Sequence, residues 1–504
     1  MKIVIVGGGT AGWLSALFLA NKNIRNDKYE PYDITVIESS KIGIIGAGEG
    51  TTGIMVDTIL NKLKNIKGLS EREFFKRSSA TIKLGLNCID WDGVGTRYYE
   101  PLQTTKTANN IIDIHYLMGV KYGSALDSVQ NALLWQENKV PFINKTYNSI
   151  GGYAYHFDAH KVADYLKEVA LLNGVKHIDG EVEELDIDKK YGFLRNVTVV
   201  NTGQIIDADF WIDASGFKRM LINPMGGGWV DYRKWLPCNS AIPYIHQFEE
   251  GEVIQPSTMA WAQKNGWMWQ IPTQERYGCG YVYDDRFVSD EEALKELEET
   301  TGRKITPIKT IKFDSGRLEN AWVNNVLAVG LSSNFLEPLE ATSIHSTVAM
   351  LDMFCNFHLS PMPNVTVQQT SINKFNKYFA YMIDEFRDLV QMHYMTKRED
   401  TPFWKFVKNE MEKTDKVKEI MDICQYRSPN YMDWSNYHGT AGWGVWCWIL
   451  SGLGYVTPLL AHQTLFDHDF VFDDKNMYDR MKSTFMQQSK DFSTHEDFLN
   501  YIKS

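Results

Sequence analysis

Three glycines, a lysine in an apolar frame and two close-set tryptophans carry much of the chemistry legible in this chain. Gly7-x-Gly9-x-x-Gly12 follows the apolar run Lys2–Val6 and opens a helical pattern over Leu14–Asn21. In such a turn the first glycine permits the tight bend. The second lets the backbone approach a pyrophosphate, and the third lets helix and strand pack closely. An anion there meets free N–H groups at a helix start. Thr10 and Ala11 lie between these glycines and belong to the same site. Asp33–Glu38 reads as the next strand, and Glu38 at its end can accept from a ribose hydroxyl. The order strand, glycines, helix, strand, acid predicts a dinucleotide site. Lys83 stands between Ile82 and Leu84, which predicts partial burial, an uncommon place to keep an ammonium. Trp267 and Trp269, at i and i+2 on an expected strand, put two rings on one face, enough bulk to wall a channel.

The elements that must hold these groups form a mixed pattern. Phe210–Ile212 and Val326–Val329 read as further buried strands, each closely followed by glycine. Between them, about residues 225–310, a segment rich in Trp, Tyr and Gly reads as a sheet inserted into the nucleotide-binding domain. After about residue 345 the pattern turns helical, as in Lys374–His393 and Trp404–Cys424. The expected division is a discontinuous domain over 1–355 and a helical region over 356–504.

Composition narrows the class. The 504 residues are 44% hydrophobic and 23% charged, which is ordinary globular usage. Net charge is -11, so nucleic acid is not expected as a partner. No apolar run approaches a membrane span. A strand pattern beginning at residue 2 leaves no room for a signal peptide, so a cytoplasmic protein without membrane contact is expected. The six cysteines show no metal-ligand spacing and read as reduced core thiols. His156 and His160 could share a helical face, but Phe157 stands where a zinc-type HExxH needs glutamate. No metal is expected; Asp158 beside them reads as a helix start.

Several motifs together resemble the flavin-dependent halogenases of the tryptophan-halogenase type. Trp267-Met268-Trp269-Gln270-Ile271-Pro272 fits that family's WxWxIP. Ala80–Gly85 resembles its stretch around an essential lysine, and Phe335–Ile344 its stretch with a glutamate and a halide site. Ile42–Thr51 resembles its strap over the flavin, and His393–Trp404 a helical-region signature. Ala208–Gly216 and Val326–Gly330 resemble flavin-side strands of flavin monooxygenases. Only one dinucleotide fingerprint is present, so the cofactor is read as FAD.

The resemblance implies an α/β flavoprotein with a Rossmann-type FAD domain, an inserted substrate-side sheet and a helical C-terminal region. It implies that FAD, reduced by a separate flavin reductase, oxidises a halide ion with dioxygen to hypohalous acid. The acid then crosses a tunnel lined by Trp267, Trp269, Ile271 and Pro272. Lys83 delivers the halogen to an electron-rich indole- or phenol-type ring, and Glu340 aligns it or accepts the ring proton. Backbone amides of Thr342 and Ser343 take the halide positions. Ala47, Glu49, Val182, Leu331 and Ile344 fall on flavin-contact positions, with Gly7, Gly9, Thr10, Ala11, Gly12 and Glu38. Ser343 replaces the family's usual glycine, and bromide or iodide is expected to be used better than chloride. Glu100 stands where the family tends to place a histidine, and the usual amino-acid anchor is not recognisable near Tyr437–Trp448. Free tryptophan is therefore not the expected substrate. Glu100, Trp443 and Trp446 remain the candidate substrate contacts. An Ala/Gly-rich approach beside these rings predicts an open site. The competing expectations are a flavin-dependent aromatic hydroxylase, which would lack the Trp267–Trp269, Lys83 and Glu340 set, and a non-catalytic flavoprotein.

Overall fold

The computed structural model describes residues 1–25, 30–43, 49–103, 113–200, 202–359, 369–434, 441–467 and 474–504. Lys2–Val6 forms a strand inside a six-stranded sheet. It pairs in parallel with Asp33–Glu38 on one side and Phe210–Asp213 on the other. Lys176–Asp179 extends one edge; Val326–Ala328 and the antiparallel Trp322–Val323 extend the other. Ile3, Val4 and Ile5 are fully buried, which is why the strand reads as an unbroken apolar run. The helix Thr10–Arg25 starts directly after the glycine turn and packs beside the helix Ala159–Leu172. This is a Rossmann-type α/β fold with helices against a mainly parallel sheet.

A second sheet has seven strands, in the order Ile311–Lys312, Ser240–Gln247, Arg276–Tyr283, Gly266–Pro272, Thr258–Ala262, Gly85–Ile89 and Arg97–Pro101. Its centre lies in the expected insertion. Its last two strands come from far upstream, joined by a parallel pairing of Thr258–Ala262 with Gly85–Ile89. Local periodicity cannot reveal such a long-range pairing. It carries Glu100 from the upstream hairpin to the edge of the sheet that bears the two tryptophans.

A third, small sheet places Ala154–Phe157 between Glu49–Gly50 and Thr81–Lys83. His156 is therefore on a strand. His160 lies on the following helix, whose cap is Asp158, accepting from the N–H groups of His160 and Lys161 at 3.0 and 3.2 Å. The two histidines do not share a helical face; the polar helix start is what forms.

The C-terminal part is mostly helical. Gln369–His393 is one helix of 25 residues. The stretch read as continuous over 404–424 is two helices, Pro402–Asn409 and Asp415–Ile423, because Thr414 starts the second by capping Val417 N–H at 3.3 Å. Near the end, Phe492–Thr494 pairs with Lys139–Ile143. His495 then accepts from Ile82 N–H at 3.1 Å and donates to Ile254 O at 3.0 Å, tying the C-terminus to the strand of Lys83. All six cysteines are buried and free. Among the described residues no helix is long and apolar enough to cross a membrane.

Candidate active site

The glycine turn has the shape its sequence predicts. Gly7 adopts φ +118°, and a Cβ on it would lie 2.1 Å from Ala214 O. A Cβ on Gly12 would lie 2.0 Å from Gly7 O, so helix and turn are in backbone contact. Gly9 faces open space, with nothing within 4 Å of its would-be Cβ. Beside it, Thr10 Oγ1 is buried without a hydrogen-bond partner. An open backbone cradle, an orphaned hydroxyl and a helix N-terminus fit the pyrophosphate of a dinucleotide. Glu38 reaches over this turn, and its carboxylate takes Lys167 Nζ and, at 3.1 Å, His177 Nε2. It is thus an engaged ion-pair member.

Gly330 connects this cradle to the opposite wall. Its would-be Cβ lies 2.7 Å from Ala11 Cβ and 3.7 Å from Thr347 Oγ1. Leu331 follows it in the short turn Gly330–Ser332, and Ile344 lies on the same helix as Thr347. Val182 opens the strand Val182–Ile187 of a separate small sheet. Glu49 pairs with Phe157, and burial, then Asp158, push its carboxyl up to about 7. Ala47, with the central strap residues, lies outside the described residues.

Lys83 is 4% exposed between Ile82 and Leu84, both fully buried. Gly50 closes on it, with a would-be Cβ 3.5 Å from its Nζ. Burial lowers the amine's pKa, and the charges of Glu340 and Glu100 act against that. His156 sits close by, bonded to Thr258 Oγ1 at 2.8 Å. Burial and the Lys83 charge hold it well below the usual histidine range, so it stays neutral.

Glu340 ends the short turn Pro338–Glu340 and accepts from His393 Nε2. His393 in turn holds Tyr98 OH on Nδ1 at 2.7 Å. Burial pushes the Glu340 carboxyl up, but the His393 hydrogen bond and charge and the Lys83 charge more than reverse it. The net shift is downward, which favours the carboxylate. Glu100 goes the other way: burial and then the neighbouring Glu340 raise it well above the carboxylate range. The two glutamates titrate as a pair, one charged and one neutral. Sequence reasoning found Lys83, Glu340 and Glu100 but assigned no role to His393 or Tyr98. The signal for His393 was its place in His393-Tyr394-Met395-Thr396.

Trp267 and Trp269 sit side by side, ring centroids 6.3 Å apart. The Trp269 ring lies over Gly280, where a Cβ would be 2.0 Å from it, so no other residue fits beneath. Ile271 is buried, and Pro272 O accepts from Thr81 Oγ1 at 2.7 Å, which joins this strand to that of Lys83. Glu337, also missed by the sequence, is fully buried and accepts the Trp267 indole N–H at 3.1 Å.

Thr342 and Ser343 open the helix Thr342–Met353 after Ala341, a non-glycine residue at φ 53°. No side chain caps this helix start, so its first amides are left for another acceptor. Trp443 and Trp446 lie on the apolar helix Trp443–Gly452 and are buried against Tyr116 and Trp434, not arranged around an open approach. A helix apolar all round buries its rings against each other. Tyr437–Thr440 lie outside the described residues.

Comparison with known proteins bears on the family and the fold. A profile of the tryptophan halogenase family matches residues 2–466. The tryptophan 7-halogenase RebH of Lentzea aerocolonigenes is 31% identical over 502 residues, covering 92% of each chain. Tar14, a tryptophan C-6 flavin-dependent halogenase (chlorinase) from taromycin biosynthesis, superposes with TM-score 0.90 at 27% identity over 100% of both chains. BrvH, a flavin-dependent halogenase from Brevundimonas sp. BAL3, superposes with TM-score 0.82 at 27% identity over 99% of both. A buried lysine facing a carboxylate, a tryptophan wall and a dinucleotide cradle thus sit in a chain that belongs to the tryptophan halogenase family and is an enzyme of the flavin-dependent halogenase type.

Proposed function

We propose that this halogenase delivers an oxidised halogen through Lys83 to an electron-rich indole- or phenol-type ring, with bromide or iodide used better than chloride. The observation that carries this is the enclosure of Lys83 beside Glu340, with the carboxylate of Glu340 held by His393. FAD, reduced by a separate flavin reductase, supplies the oxidising power with dioxygen when bound. Gly7, Gly9, Thr10, Ala11, Gly12 and Glu38 hold it, with Ala47, Glu49, Val182, Leu331 and Ile344 as further contacts. The uncapped amides of Thr342 and Ser343 hold the halide. Trp267, Trp269, Ile271 and Pro272 shield the passage and exclude water, so that a hypohalous acid reaches Lys83 before it escapes. The Lys83 ammonium positions the electrophile by hydrogen bonding, and the Glu340 carboxylate keeps that ammonium charged or takes the ring proton. Glu100 contacts the substrate. The protein works without membrane or nucleic acid, in the cytoplasm, and over residues 1–355 and 356–504 divides into FAD and substrate regions. The test is halide dependence. With reductase, FAD and dioxygen, product from an indole should appear on adding bromide and vanish without halide; product formed equally without halide contradicts the reading.

A further inference from the structure

Tyr98 and Glu100 stand two residues apart on the strand Arg97–Pro101, so both side chains leave the same face. Glu100 lies against Glu340 directly, whereas Tyr98 reaches it through His393. Tyr98 OH meets His393 Nδ1 at 2.7 Å, and His393 Nε2 meets Glu340 Oε1. The phenol and imidazole stack at 6.2 Å and 22°, and Trp91 flanks the imidazole at 5.7 Å. Gly452 backs the phenol: a Cβ there would lie 2.4 Å from Tyr98 Cγ. His393 is fully buried and Tyr98 is 8% exposed, so bulk water does not compete for these bonds. The phenol decides where the imidazole proton sits. Tyr98 has one proton to place. Its hydroxyl faces His393 Nδ1 and the Cys88 thiol, and sulfur is the weaker acceptor. The Tyr98 O–H therefore donates to Nδ1, which is bare, and the ring proton lies on Nε2. In that form His393 only donates to Glu340.

We propose that Tyr98 is a positioning residue of the halogenation step, fixing His393 in its Nε2–H tautomer so that Glu340 stays an anionic acceptor beside Lys83. This rests on the halogenase reading and deepens it, because Tyr98 acts through His393. A partner on the far nitrogen sets which nitrogen of a histidine does the work. Without the phenol, the imidazole is free to carry its proton on Nδ1. That form turns a lone pair on Glu340 and favours a protonated carboxyl. Lys83 and Glu100 also face Glu340, and Cys88 lies within reach of its charge. Neither Lys83 nor Glu100 touches Nδ1, so Tyr98 alone among these groups orders the imidazole by a hydrogen bond to that nitrogen.

The test combines a tautomer measurement with a pH profile. In the full chain labelled with nitrogen-15 histidine, the His393 signal is the one lost in His393→Gln. It should show a bare Nδ1 and a protonated Nε2, and Tyr98→Phe should move the Nδ1 signal. A proton on Nδ1 in the wild type, or an Nδ1 signal unmoved in Tyr98→Phe, overturns the proposal. The pH profile is that of kcat for bromination of indole by the FAD-loaded enzyme with its reductase. Tyr98→Phe should move the acid limb upward by about 0.7 pH unit, a fivefold change, because Glu340 loses part of its donated hydrogen bond. KM and FAD affinity should stay within about twofold. An amide has no tautomer to fix, so Tyr98→Phe should add no further shift in the His393→Gln background. An equal shift in both backgrounds, or a change in KM and FAD affinity in place of kcat, makes Tyr98 structural and overturns the proposal. The tautomer reading needs no turnover. The assigned tautomer with no brominated product supports this assignment and counts against the halogenase reading alone.

Discussion

The indole N–H of Trp267 donates to Glu337 at 3.1 Å inside the core, and Tyr394 OH and the Cys238 N–H, the latter at 3.2 Å, donate to the same carboxyl. Glu337 stands three residues before Glu340 on one turn of chain. The wall of the proposed passage and the carboxylate at its end therefore share a single anchor. A shift of one moves the other.

That anchor has a pH signature. Burial pushes Glu337 up to about 7 from the ordinary 4.5 of a glutamate, against its three hydrogen bonds. A carboxyl raised on folding holds its proton in the native state while the unfolded chain loses it. Its stabilisation is present below about pH 4.5 and is lost as pH rises to about 7, on the order of 3 kcal/mol in all. Glu337→Gln removes this titration. Denaturant unfolding of both proteins across that range should show the variant's deficit shrinking as pH rises; a deficit that grows would contradict the assignment.

Lys83→Ala should reduce halogenation by roughly a hundredfold or more, while FAD affinity stays within about twofold. The amine is buried, with Gly50 closing on its Nζ, and is not part of the glycine cradle. Steady-state product formation and flavin titration separate the two effects. Near wild-type rate and regiochemistry would remove Lys83 from the chemistry.

Glu340→Gln should lower kcat by about a hundredfold with KM and FAD affinity little changed, because an amide keeps the size but not the charge. His393 acts through Glu340 as a positioning residue. His393→Gln, which can still donate, should lose less than His393→Leu, with both effects in kcat. Losses of FAD in proportion to rate would make this cluster structural.

The halide preference is tested by competition among equal chloride, bromide and iodide, with catalase present to remove free peroxide. Bromide and iodide are less strongly hydrated and easier to oxidise than chloride, so brominated and iodinated products should dominate. Ser343 is half-buried at an uncapped helix start, and Ser343→Gly should move the ratio toward chloride. A chlorinated majority in the wild type contradicts the preference. An unchanged ratio in the variant clears Ser343 of causing it.

Much of this was legible in the residues. Lys2–Val6, Asp33–Glu38 and the glycine turn carry their structure in local pattern, because a buried parallel strand must be apolar and a tight turn must be glycine. Lys83 was legible from its apolar neighbours. What stayed hidden depends on long-range pairing. The upstream hairpin Gly85–Pro101 joins a sheet built mostly from residues 240–283, and only that puts Glu100 against Glu340. His393, His495 and Glu337 are ordinary residues in sequence, and their roles come from partners 53, 413 and 70 residues away. Trp443 and Trp446 suggested a stacking surface, but an all-apolar helix packs such rings inward.

The most direct measurement is the mass of the product from a panel of indoles and phenols, incubated with the chain, a flavin reductase, FAD, dioxygen and bromide. The account predicts replacement of one ring hydrogen by bromine, visible as bromine's isotope doublet and absent with Lys83→Ala. A product heavier by one oxygen, with no halogen, would contradict it and assign a hydroxylase.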